Sequence, residues 1–221
     1  MIEKQQLSEQ ESLGIIQQMI ATAKKEQKDD GTGWILWGWM LLAASILTIV
    51  NLRQEWVSTF FFWNAFGTAA IVIKLGVITR RMFVQAPVKV RTYTSELFKK
   101  LDAGFFISLF VIILSMNLTS MRVADQDTGT NITPIINAGF ALLINLYAFW
   151  ILIYGAALNF KPSVIGAYLT WGIGIAALFA DKFEHVMWLH TVAVICGYII
   201  PGHIAYKAFY KTNSVVKAER V

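Results

Sequence analysis

The chain has 221 residues, 56% of them hydrophobic and only 15% charged, with 19 Lys and Arg against 14 Asp and Glu. Soluble domains carry about 25% charged residues, and the apolar residues here fall in long runs, which excludes a soluble globular fold and leaves lipid as the solvent. The lone Cys196 excludes an intramolecular disulfide and a cysteine-based zinc site, while the net charge of +5 sits beside apolar runs, pointing to an anionic lipid surface as partner and not to nucleic acid.

From the amino end, Ser8 with Glu11 forms a capping box opening a helix over 8–29. Leu13, Ile15, Ile16, Met19, Ile20 and Ala23 fall on one side of it, and Gln10, Gln17, Lys24, Lys25 and Lys28 on the other. An amphipathic helix on the membrane surface is expected, ended by Gly31 and Gly33. The first apolar run starts at residue 34, behind both charge signs and with no small-residue cleavage site after it, so it is expected to be retained and not removed as a signal peptide.

Six apolar stretches follow, at about 34–52, 56–78, 103–121, 134–158, 163–180 and 186–206. At about 1.5 Å per residue even the shortest approaches the roughly 30 Å of a bilayer's hydrocarbon core. Helices are the expected form, because a barrel would need short strands of alternating polarity. The fold class is therefore an all-α integral membrane bundle of about six helices: residues 1–32 are the cytoplasmic amphipathic segment, 33–210 the membrane domain and 211–221 a cytoplasmic tail.

Orientation follows from the cations. With the amino terminus inside, the inner segments hold Lys4, Lys24, Lys25, Lys28, Arg80, Arg81, Lys89, Arg91, Lys99, Lys100, Lys161, Lys207, Lys211, Lys217 and Arg220, and the outer segments only Arg53, Arg122 and Lys182. Fifteen against three places both termini in the cytoplasm. Lys74 is expected to snorkel to the inner headgroups, and Trp56 and Trp188 to start the second and sixth helices at the outer interface. The inner connection 79–102 is expected to lie along the surface before turning into the third helix, with Arg80, Arg81, Lys89, Arg91, Lys99 and Lys100 as candidate contacts for anionic lipid. Trp37-Gly38 and Trp171-Gly172, each followed by an alanine pair, match too briefly to establish the internal repeat found in many transporters.

Polar residues within the helices are the candidates for chemistry, because polar groups are costly in lipid unless paired or hydrated. Asn64, Asn117, Asn137 and His190 lie in the outer halves of four helices, with Asn145 deeper. Either they line one polar cavity or they provide interhelical hydrogen bonds. His190 and His203, thirteen positions apart, have the spacing of two haem ligands, but His185 is the only other histidine and supplies no second pair. No HExxH pair or convergent carboxylates mark a metal site, so no metal and no cofactor is expected. Pro201-Gly202 is a candidate kink. Gly166, Thr170 and Gly174 recur every four residues and allow close approach of another helix, within the bundle or in a homo-oligomer. Asp29-Asp30-Gly31-Thr32-Gly33 lacks the lysine of a P-loop, and no Gly-x-Ser-x-Gly elbow occurs, so no enzyme is expected.

Glu11-Ser12-Leu13, Met19-Ile20, Ala23-Lys24, Leu36-Trp37-Gly38-Trp39, Phe160-Lys161-Pro162 with Ile165-Gly166, and Ile199-Ile200-Pro201-Gly202-His203 occur in that order. Together they resemble a family of uncharacterised six-helix inner-membrane proteins common in Bacteroidota. The resemblance implies a bacterial inner membrane and brings no activity or site residue. The function expected is that of an accessory or regulatory membrane protein acting through protein and lipid contacts, with a membrane-protein partner or homo-oligomer. The alternative is a small-solute or ion transporter or channel using the outer polar residues, and a hydrated path separates the two.

Overall fold

A computed structural model describes Gly14 and residues 31–83, 93–125 and 131–218, and all secondary structure among them is helical. The amphipathic helix expected over 8–29, apart from Gly14, lies outside the described residues, as do Lys89, Arg91 and Arg220. The elements are α1 (Thr32–Gln54), α2 (Phe61–Phe83), α3 (Tyr93–Asp125), α4 (Thr133–Ala157), α5 (Lys161–Ala177), α6 (Phe183–Val194), a π-turn (Ile195–Ile199) and α7 (Ile200–Ala218). The last three form one uninterrupted rod. Four stretches are long and apolar enough to cross a bilayer: Thr32–Gln54, Glu96–Val123, Thr133–Ala157 and Phe183–Lys211. The 17 residues of α5 span about 26 Å, a little less than the roughly 30 Å hydrocarbon core.

Several boundaries differ from the sequence expectation. The second helix starts at Phe61 and not near Trp56, which is exposed in the preceding turn. Asn51 explains this: its Nδ2 donates to Val57 O and its Oδ1 accepts from Val57 N, both at 2.9 Å, so one carboxamide holds the turn as a second backbone would. Glu55, in the left-handed region at φ 53°, ends α1. The third helix runs unbroken from Tyr93, so residues 93–102 belong to it and do not turn into it. Lone Gly104 is too weak a breaker to interrupt a helix. α7 continues to Ala218, past the expected start of a tail at 211.

α4 and α5 form the most extensively packed pair. A Schellman turn joins them: Phe160 N donates to Gly155 O and Asn159 N to Ala156 O, with Asn159 left-handed at φ 52°. Pro162 then opens α5, where a missing backbone N–H costs nothing. α1 packs on α6, the π-turn and α7. Leu41, Ile144, Ile151, Val186 and Met187 are completely buried at the centre. α2 rests on α1 and α3 on α4. α3 is peripheral, with 6% of its apolar stretch buried against 50% for α4.

The rod's distortion follows from Pro201. A proline ring opposes the carbonyl four residues back and removes one donor, and the position four back, Gly197, lies in the π-turn, whose wider loop relieves that clash. Pro201 and Gly202 themselves are buried within helix. The glycine face of α5 packs inside the bundle. A Cβ on Gly166 would stand 2.6 Å from Cys196 O, and one on Gly174 2.8 Å from Asn145 Nδ2. Gly38 likewise admits Ile199, 2.9 Å from where its Cβ would be.

Candidate functional site

The structure divides the polar residues singled out by the sequence into separate environments. Asn137, on the first turns of α4, is 4% exposed, and its Nδ2 donates to Ala180 O at 2.9 Å. That bond ties α4 to the turn that follows α5, while Asn137 Oδ1 is buried with no partner. Asn145 donates to Ala141 O on its own helix at 2.8 Å and packs against Gly174. Both are packing roles of the kind that carboxamides commonly fill between membrane helices.

His190 is fully buried, with Nδ1 2.7 Å from Ser45 Oγ on α1. Ser45 donates to Leu41 O at 3.0 Å, and a hydroxyl has a single hydrogen. His190 Nδ1–H is therefore the donor to Ser45, which makes Nε2 a bare acceptor, buried without a partner. Trp63 and Tyr147 stand edge to face with the imidazole, at ring-centroid distances of 5.1 and 5.7 Å. Trp63 Nε1, a donor, is also buried without a partner. A core donor and a core acceptor thus lie in adjacent rings without bonding each other. Tyr198, in ring contact with Tyr147 at 6.0 Å and Trp34 at 5.4 Å, has a third unpartnered polar atom in its hydroxyl.

Asn64 and Asn117 lie elsewhere. Both are exposed on the bundle's flank and line a cleft between α2 and α3, floored by α4. Its volume is about 60 Å³. Asn64, Asn117 and Ser120 form one end, while Phe66, Leu109, Leu143 and Tyr147 line the remainder. Trp63 and Tyr147 together form the wall between this cleft and His190. Of the four outer residues, Asn64 and Asn117 line the cleft, while Asn137 and His190 are buried and bonded to Ala180 and Ser45.

Of the candidate lipid contacts, Arg80, Lys99 and Lys100 are exposed. Arg81 is the residue following Arg80 on α2. At the opposite end of the bundle, Arg53 and Glu184 form an ion pair from Arg53 Nη2 at 2.5 Å and Nε at 3.1 Å, joining the end of α1 to the start of α6. Among the described residues no group of three or more His, Cys, Asp or Glu side chains is placed to hold a metal ion.

Residues that sequence reasoning passed over include Ser45, Ser120, Trp63, Tyr147 and Tyr198. A serine or aromatic in an apolar run carries no signal of its own, and the Ser45–His190 pair spans 145 positions. Comparison with known protein families, with curated proteins and with solved structures gave no match.

Proposed function

We propose that this is a six-crossing protein of a bacterial inner membrane, with both termini in the cytoplasm, that acts as an accessory or regulatory subunit through protein and lipid contacts. The observation that carries this reading is the closed centre of the bundle. Leu41, Ser45, Thr48, Ile144, Ile151 and His190 are all completely buried where a solute path would have to run. The outer polar residues, which had favoured transport, are split between that packed core and a flank cleft.

The six-crossing count adds α2 and α5 to the four stretches long enough to span. α2 has 23 residues, about 35 Å, and α5 is tied to α4 by a turn too tight for it to leave the bundle. The fifteen-to-three distribution of cations supports the orientation. The exposed apolar face of α3, with Ile107, Phe110 and Leu114, is surface for lipid or a membrane partner.

Solvent access tests the reading. Ser45→Cys and Thr48→Cys, each in a background with Cys196 replaced, should resist a small water-soluble thiol reagent in sealed membranes over hours, while Trp56→Cys reacts within minutes. Reaction of both core cysteines at the rate of the Trp56 control would establish a hydrated path and favour the transporter.

A further inference from the structure

The cleft between α2 and α3 has a polarity that runs along its length. Asn117 and Ser120 lie eight and five residues before the end of α3 at Asp125, about 12 and 8 Å along it, and Asn64 lies three residues into α2, about 5 Å. Leu109 lies sixteen residues before that end and Tyr147 fourteen into α4, about 24 and 21 Å in. The polar lining residues therefore all lie toward the helix ends, beside Phe60, Trp63 and Ile136, and the lining farther in is aliphatic and aromatic, the gradient of a lipid standing in its leaflet.

We propose that the cleft is a binding site for one acyl-chain phospholipid of that leaflet, with its ester oxygens at Asn64, Asn117 and Ser120 and one chain running inward past Leu109 toward Tyr147. An amide NH₂ has two hydrogens. Asn117 uses one on Ile113 O at 2.8 Å, so the second serves an ester carbonyl. None of the lining residues is charged, which matches the uncharged ester zone and not the phosphate above it.

This deepens the lipid-contact part of the proposed function and stands apart from its test, because a bundle leaky at Ser45 would leave the flank cleft unaltered. The probe is phosphatidylethanolamine carrying a diazirine in one acyl chain, titrated into the detergent-solubilised full chain, with adducts mapped by mass spectrometry. Adducts should saturate at one per chain and concentrate on Ile113 and Met116, which face the cleft, over Ile107 and Leu114, which face outward. Asn64→Leu with Asn117→Leu should weaken half-saturation about eight-fold, the factor supplied by two membrane hydrogen bonds of average strength. Ser120→Phe, filling the polar mouth, should remove the saturable adduct and carries the test by itself if the double variant does not fold. Unsaturable labelling spread equally over both faces of α3, or saturable labelling unchanged by Ser120→Phe, would overturn the site.

Discussion

Gly166 and Gly172 lie on the same helix, yet alanine should move stability in opposite directions at the two. A Cβ at Gly166 would stand 2.6 Å from Cys196 O, with Pro201 Cγ at 3.3 Å and Gly197 Cα at 3.4 Å, whereas one at Gly172 would meet nothing within 4 Å. A carbonyl oxygen inside a helix cannot swing aside as a side chain can. α5 must therefore move from the π-turn by most of an ångström, and overpacking of this kind costs about 1–3 kcal/mol. Alanine returns about 1 kcal/mol of helix propensity at either site. Gly166→Ala should thus destabilise by up to about 2 kcal/mol, and Gly172→Ala should stabilise by up to about 1 kcal/mol. For a chain of this length each kcal/mol moves the melting point by about 2–4 °C. Thermal unfolding of the purified protein, followed by helical circular dichroism in one detergent, reads both shifts. Gly197→Ala should combine with Gly166→Ala less than additively, because either one opens the same interface. Gly166→Ala melting above the parent, as expected for Gly172→Ala, would refute the close approach of α5 to the π-turn.

Three further outcomes are expected. Cysteines at Arg122 and Lys99, in a background lacking Cys196, should label oppositely with an impermeant thiol reagent in intact spheroplasts, only Arg122→Cys reacting; equal labelling would overturn the orientation. Ser45→Ala and His190→Leu should each destabilise by about 1–3 kcal/mol, since each strips a buried bond, and their double-substitution cycle should show coupling of at least about 0.5 kcal/mol; strict additivity would remove the Ser45–His190 bond from the account. Replacing Arg80, Arg81, Lys99 and Lys100 with Gln should cut the anionic lipid retained in native mass spectra, each cation near a charged surface being worth about 1 kcal/mol; unchanged retention would count against the basic inner face.

The spans were legible because lipid imposes a coarse rule: an apolar run must be helical and long. So Thr32–Gln54 and Thr133–Ala157 lie within about two residues of the expected stretches. Local polar chemistry decided the boundaries that differed, as where Asn51 captures Val57 and delays α2 to Phe61. The distortion near Pro201 was readable as a type, since the ring excludes a regular helix, but the place of the π-turn required knowing how the rod repairs itself. The polar site was the least legible part. Position along a helix gives the depth of Asn64 and Asn137, but not which gap between helices each one faces. That angle depends on neighbours far along the chain, and it sends Asn64 to the flank cleft and Asn137 to Ala180.

The partnership of α1 with α6 and α7 bears on how the protein is assembled. α1 is the first described apolar helix to leave the ribosome, while its main packing surface, including His190, is made last. Until then α1 must wait in the bilayer with Ser45 and Thr48 on the face that will later be covered. Both hydroxyls donate to carbonyls one turn back, Ser45 to Leu41 O and Thr48 to Ala44 O, so each has an acceptor before any neighbour arrives. The first helix can therefore reside alone in lipid at little cost. Closure of the bundle then falls to the last helix, which brings the imidazole to a serine already oriented to receive it.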